Sequence, residues 1–148
     1  MSEKILSVFI EGAVRYFQHT SHKEVHVGTP YLANNSKPAA FDYTGVIGVS
    51  GPRRGCVYFT APVILLKHLL LSIGEEDTSE EYIVDLVGEV ANTISGNARR
   101  EFGKDFMISV PVVIEGAPGH IHLPKDLRSY VIPVYWKAYS AAVVICFE

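Results

Sequence analysis

The feature that most constrains the fold is a long helical pattern that runs from about Glu80 to Phe102. Thr78 or Ser79 can cap its N-terminus, and Gly103 is placed to end it. Its apolar side chains fall within one arc of about 100°, the width of stripe that a helix buries against a core. The members of this stripe are Ile83, Val87, Val90, Ala91, Ile94 and Ala98. We therefore expect one side of this helix to face the core and the other to face solvent.

The rest of the chain predicts two more helices and several strands. A first helix is expected from about Ile5 to Gln18, and a second is opened by Pro62 and closed by Gly74. Two strand-like runs flank a tight turn and predict a β-hairpin, and Pro111 and Pro133 indicate edge positions or bulges in later strands. The predicted strand segments are YTGVIGVSG, GCVYFTAP, FMISVPVVIEG, SYVIPVYW and SAAVVICFE.

The order of these elements predicts an α+β fold. Helices grouped apart from strands that pair as hairpins indicate a two-layer domain with a largely antiparallel sheet. A helix followed by a proline-containing strand and a hairpin occurs twice, which suggests an internal duplication. The length of 148 residues suits a single domain, residues 1–148, with one core.

Composition narrows the class of protein. Hydrophobic residues make up 48% and charged residues 20%, as in ordinary globular proteins, and the net charge is −3 with scattered cations, which disfavours nucleic acid. The N-terminal segment lacks the features of a signal peptide. The most apolar run, Val63 to Ile73, is broken by Lys67 and His68 and is too short to span a bilayer. We expect a cytoplasmic protein with neither a nucleic acid nor a membrane as partner.

Four residues on the outer side of the long helix form a column at spacings i, i+4, i+7 and i+11: Asp85, Glu89, Asn92 and Gly96. Asparagine costs a helix several tenths of a kcal/mol against alanine, and glycine costs about 1 kcal/mol. One interpretation is a merely solvated face. The other is a docking face, in which the carboxylate of Glu89 engages a cation, Asn92 positions a water and Gly96 admits a partner's backbone.

The column contains no general base at Asn92, because an amide does not titrate near neutral pH. Any catalysis there must consist of holding a water in line with its target. The six histidines fit no zinc spacing with a third ligand in reach, so we predict neither a metal site nor a cofactor of the chain's own. The histidines that come closest in sequence are His19, His22 and His26, and His120 and His122.

Nearly the whole chain resembles the CheC/CheX/FliY chemotaxis phosphatases, and within them the CheX branch. The matching segments are VGTPYL, YTGVIGVSG with GCVYFTAP, DLVGEVANTISGNAR, ISVPVVIEG and IPVYW. The specific element is the pair E-x-x-N inside D-x-x-x-E-x-x-N-x-x-x-G-N-A. The resemblance implies a CheC-like fold, with one long central helix in the helical layer.

The resemblance also implies a function, the dephosphorylation of a phosphorylated CheY-like response regulator. Asn92 would orient the water that attacks phosphorus, and Glu89 would pair with the regulator's active-site lysine. Asp85 and Gly96 would contact the partner, and Mg²⁺ would be held by the regulator. A second E-x-x-N is expected on the first helix of CheC relatives. Here the residue three positions after Glu11 is Val14 and not an asparagine, which predicts a single site.

Partners and rival functions remain open at the level of sequence. CheX relatives join their sheets through C-terminal strands, so the resemblance implies a homodimer in which SAAVVICFE is a paired edge, although this run also fits an ordinary internal strand. A different class of function is a binding module or scaffold that recognises a phosphorylated receiver domain without catalysis. An interaction domain unrelated to chemotaxis is a third.

Overall fold

The computed structural model describes residues 3–21, 24–35, 38–116 and 128–147 of the chain. Within them lie the helices α1 (Glu3–Ser21), α2 (Val63–Ser72) and α3 (Glu80–Phe102). The strands are β1 (Val25–Val27), β2 (Tyr31–Asn34), β3 (Tyr43–Ser50), β4 (Gly55–Ala61), β5 (Met107–Ile108), β6 (Val112–Glu115), β7 (Arg128–Trp136) and β8 (Tyr139–Phe147). His22, His120 and His122 lie outside the described residues.

The strands form one antiparallel sheet, which confirms the predicted α+β class. The order of the strands is β1-β7-β8-β4-β3-β5, with β2 also paired to β7 and β6 also paired to β3. The predicted hairpin is present as β3 and β4, in which Tyr43 pairs with Ala61. A second hairpin is formed by β7 and β8, in which Trp136 pairs with Tyr139.

The strand pairing repeats itself across the sheet, as an internal duplication would require. On one side the short strands β1 and β2 both pair with β7, and on the other the short strands β5 and β6 both pair with β3. In each case a proline, Pro30 or Pro111, lies between the two short strands. The long strands β8 and β4 pair in the middle of the sheet. The topology therefore supports the duplication inferred from the sequence.

Pro133 departs from the sequence prediction, because β7 is neither an edge strand nor bulged at this position. Pro133 pairs with Ala142 of β8 on one side, while β1 and β2 pair with β7 on the other. Its carbonyl accepts a hydrogen bond of 2.9 Å from the Gly28 N–H, in the gap between β1 and β2. Since the N–H and C=O of a residue in an antiparallel strand point to the same side, the missing N–H of Pro133 faces this gap and costs no ladder bond.

The C-terminal strand β8 also corrects a prediction, because it is an interior strand. It pairs with β4 on one side and with β7 on the other, so the proposed joining of two sheets through a free SAAVVICFE edge is wrong. Its apolar run reflects burial on both faces of the sheet. Val143 and Ile145 belong to the main core, and Val144 belongs to a second cluster with Tyr58, whose hydroxyl donates to the Ala39 carbonyl at 2.8 Å. Homodimerisation itself stays a prediction.

The helix α3 matches its predicted bounds, and the whole predicted stripe of apolar side chains is buried. Ser79 is the N-cap residue, but its side chain makes no capping hydrogen bond. Gly103 ends the helix with φ of 98°, a left-handed conformation that favours glycine. The helix packs on β3 and β4 with α1 beside it, so the sheet fixes which of its sides stays exposed. Among the described residues no helix is both long and apolar enough to cross a membrane.

Candidate functional site

The predicted column lies on the exposed face of α3. Asp85, Glu89 and Asn92 are exposed, and Gly96 is half-buried. A β-carbon added at Gly96 would meet no atom within 4 Å, so the space above it is open. Within the described residues, the side chains of the three polar members make neither a hydrogen bond nor an ion pair. Their donors and acceptors are therefore available to a partner.

The three polar residues of the column line an open cleft of about 710 Å³. One wall is α3, and the facing wall is the chain from Ile108 to Val113. Asp85, Glu89 and Asn92 follow the α3 wall, whereas Gly96 lies beyond the cleft. The facing wall is mainly apolar, with side chains from Ile108, Val110, Pro111 and Val113. The structure thus brings three of the four predicted residues into one concave site.

The facing wall is a break in the edge of the sheet, and it confirms the prediction that Pro111 marks an edge position or a bulge. We expected one strand through FMISVPVVIEG, but the ladder to β3 stops after Ile108 and resumes at Val112. Between them the Ser109 N–H donates to the Gly48 carbonyl at 3.0 Å, and the Gly48 N–H donates to Ser109 Oγ at 2.8 Å. Pro111 has no N–H to offer to a ladder, and this is the sequence signal for the break.

Gly88, for which the sequence predicts no role, lies at the bottom of the cleft. It is buried, and a β-carbon there would stand 3.4 Å from Val113 Cγ2 and 3.8 Å from Pro111 Cγ. Its lack of a side chain lets the wall approach α3 closely. Gly88 therefore sets the width of the cleft beneath Glu89 and Asn92.

The helix α1 packs beside α3 along a second groove, which Glu89 also lines. Burial, followed by the negative charge of Glu89, raises the pKa of the Tyr16 hydroxyl in this groove. Asn97 is buried here, where its Oδ1 accepts a hydrogen bond of 2.7 Å from Arg100. Its Nδ2 would be 3.3 Å from a β-carbon at Gly12, so α1 and α3 are in close contact. Glu89 therefore lies between two grooves, the one shared with α1 and the cleft.

The corresponding stretch of α1 does not repeat the column. Glu11 forms an ion pair with Arg15, with Oε1 and Nη2 2.7 Å apart. Val14 is only partly buried and packs against the main core. On α1 the carboxylate is already paired with a cation, and the residue one turn later is apolar. This pair therefore cannot bind a partner's cation and orient a water, as Glu89 and Asn92 could. A single site therefore remains our prediction.

The chemistry available in the cleft is limited to charge and positioning. Its ionisable lining residues are the two carboxylates Asp85 and Glu89. The only hydroxyl in the lining, that of Ser109, accepts from the Gly48 N–H and donates to the Val110 carbonyl at 3.1 Å, so it is not a free nucleophile. In the described part of the chain no three metal-ligating side chains gather into a possible metal site. The cleft can bind a cation and orient a water through Asn92.

The fold and this cleft define the chain as a CheC-like protein. A CheC-like superfamily protein from Shewanella sp. PV-4 is 26% identical, with a TM-score of 0.84 over 100% of this chain and 99% of its own. The family model described as "Chemotaxis phosphatase CheX" matches residues 43–135. The chain belongs to the CheX family of chemotaxis phosphatases.

Two further solved structures share the architecture. CheX from Vibrio vulnificus is 25% identical, with a TM-score of 0.82 over 98% of this chain and 99% of its own. In a CheX–CheY–BeF₃–Mg²⁺ complex from Borrelia burgdorferi, the matching chain is 19% identical, with a TM-score of 0.78 over 97% of each chain, a likeness of fold. A comparison with curated protein sequences gave no match.

Proposed function

We propose that this protein hydrolyses the phospho-aspartate of a CheY-like response regulator. The observation that carries the proposal is the pairing of exposed Glu89 and Asn92 on adjacent turns of α3, above a cleft without a free nucleophile. Family membership supports a phosphatase, and the geometry favours one that acts by positioning. The regulator would then supply the phospho-aspartate, and this chain would position the attacking water and the regulator against each other.

Asn92 is proposed to hold the attacking water. Its amide offers both a donor and an acceptor, and no described residue occupies either. Inserted beside the phosphoryl group, the amide would place the water in line with the bond to the aspartate oxygen. The P–O bond to the aspartate breaks as the water oxygen bonds to phosphorus, and inorganic phosphate leaves. Positioning of this kind lowers the entropic part of the barrier.

Glu89 is proposed to anchor the regulator through its active-site lysine, with Asp85 one turn earlier adding negative charge. Neither carboxylate is paired to a cation within the described residues, so both are free to meet an incoming ammonium group. Mg²⁺ is expected in the regulator, where it would neutralise the developing charge on phosphate. The CheX–CheY complex that contains BeF₃ and Mg²⁺ supports this division of labour.

The experiment is a phosphate-release screen against the receiver domains of the same organism. Each receiver is loaded from a small acyl phosphate, and its dephosphorylation is followed with wild type, with Asn92→Ala and without added protein. The proposal predicts that at least one receiver loses phosphate faster with wild type only. Equal rates in all three arms for every receiver would contradict it.

Binding to phosphorylated receivers separates the proposed enzyme from the rival binding module. A module without catalysis would bind a phosphorylated receiver and leave its rate of dephosphorylation unchanged. Binding is measured with receivers carrying beryllium trifluoride and Mg²⁺, which cannot be hydrolysed. Tight binding without accelerated release would favour the module over the enzyme.

A further inference from the structure

The wall of the cleft that faces α3 is lined by apolar side chains, from Ile108, Val110, Pro111 and Val113. Val110 is 81% exposed, whereas the other three are half-buried. Single exposed apolar residues are normal, but one that lines a concave site together with apolar neighbours indicates a surface that a partner covers. Val110 faces the carboxylates of α3 across the cleft.

The backbone that carries Val110 is held in place on both sides. Ser109 exchanges two hydrogen bonds with Gly48, one through its N–H and one through its Oγ. Pro111 follows immediately and has a restricted φ. A partner that contacts Val110 therefore pays little entropy for ordering the segment, so the apolar contact retains most of its value.

The two walls of the cleft differ in chemistry in a way that specifies an occupant. The α3 wall presents Asp85 and Glu89, while the facing wall presents the side chains of Ile108 and Val110. A matching partner surface carries a cation with an apolar side chain beside it. The cation would pair with Glu89, and the apolar neighbour would lie against Val110.

We propose that Val110 is an affinity-determining contact for the receiver domain, covering the apolar surface beside its lysine. This inference rests on the proposed function and names a second contact at the same site. It concerns the binding step, since the valine side chain has no polar atom with which to contact a phosphoryl group or a water. Its loss should therefore raise KM and leave kcat unchanged.

The test compares Val110→Ser with Leu32→Ser in steady-state dephosphorylation of the receiver found by the screen. Leu32 is a matched control, because it is 46% exposed on β2 at the opposite edge of the sheet. We expect Val110→Ser to raise KM about tenfold with kcat retained. Val110→Ile, which keeps an apolar side chain, should have the wild-type KM. Leu32→Ser should change neither constant. Equal KM values for the two serine variants would overturn the inference.

The oligomeric state supplies a second way to overturn the inference. If wild type is a dimer by analytical ultracentrifugation and Val110→Ser is a monomer, the surface is covered by another copy of this chain. A failure of the proposed function looks different, since Asn92→Ala would then match wild type. Loss of catalysis in Asn92→Ala, together with an unchanged KM in Val110→Ser, would remove this contact only.

Discussion

Gly88 of α3 lies against Val113 of β6, at a distance that leaves room for little more than a methyl group. A β-carbon at Gly88 would be 3.4 Å from Val113 Cγ2. This contact joins the helix that carries Glu89 and Asn92 to the edge of the sheet that forms the opposite wall of the cleft. The width of the site therefore depends on Gly88, a buried residue without a side chain.

Adding side-chain atoms at the contact between Gly88 and Val113 should destabilise the fold. Gly88→Val places two methyl groups against Val113 and Pro111, and we expect it to lower the free energy of unfolding by about 1–3 kcal/mol. Gly96→Val is the matched control on the same helix, since no atom lies within 4 Å of its β-carbon. Urea denaturation measures both. Equal stabilities for the two variants would mean that Gly88 does not control the packing of this wall.

Replacing Gly96 with alanine should stabilise the fold and weaken the binding of the receiver. Gly96→Ala fills open space and removes a weak helix former, so we expect the free energy of unfolding to rise by up to about 1 kcal/mol. If Gly96 admits the partner's backbone, the same variant should bind the phosphorylated receiver more weakly. Thermal unfolding and receiver binding are measured on one preparation. A more stable variant with unchanged affinity would remove the partner role of Gly96.

Replacing Glu89 should weaken the binding of the receiver more than it slows turnover. Glu89→Gln keeps the shape of the side chain but removes the charge proposed to meet the regulator's lysine, so we expect KM to rise about tenfold or more. Glu101→Gln, an exposed change at the end of the same helix, is the control for loss of one negative charge. The rise in KM should shrink at high salt, because screening weakens the wild-type attraction. Identical KM values for the two variants would reject the anchoring role.

Stability should fall at alkaline pH. Burial, with a smaller contribution from Cys146, raises the pKa of the Cys56 thiol from 9.0 to about 12. The unfolded chain then ionises before the folded one, so stability is intact below about pH 9 and is lost as the pH rises towards about 12. The slope for one such group reaches about 1.4 kcal/mol per pH unit.

Urea denaturation at about pH 8 and about pH 10 checks this dependence. Cys56→Ala serves as the control, because it lacks the thiol and should lose less stability over the same interval. An equal loss in wild type and in Cys56→Ala would show that this thiol does not contribute. The buried hydroxyls of Tyr16 and Tyr58, whose pKa values burial also raises, add to the loss at higher pH.

Local patterns predicted the elements of the fold well. The cap candidates and Gly103 specified the bounds of α3, and the stripe from Ile83 to Ala98 specified its buried side, because caps and helical periodicity are properties of neighbouring residues. The hairpin of β3 and β4 followed in the same way from two apolar runs and a turn. The outer column on α3 was visible for the same reason, since it is the complement of the stripe.

Long-range pairing was not visible in the sequence. An apolar run such as Val143 to Ile145 fits a free edge as well as a strand buried on both faces, and only its partners β4 and β7 decide between them. The prediction for Pro133 is wrong because proline excludes a ladder bond on one side of a strand only, and that side faces the gap between β1 and β2. The wall opposite α3 depends on residues from Ile108 to Val113, which are distant in sequence from Glu89. The E-x-x-N pair could be predicted, but the cleft that it lines could not.

The most direct test of the proposed function compares kcat for wild type and Asn92→Ala on a phosphorylated receiver under saturating conditions. The exposed amide makes no hydrogen bond within the described residues, so its loss should leave the fold intact, as circular dichroism and thermal unfolding would check. We predict that binding to the receiver carrying beryllium trifluoride persists while kcat falls about 100-fold or more. An Asn92→Ala protein that is folded, binds the receiver and retains the wild-type kcat would contradict the proposed role of Asn92 in hydrolysis.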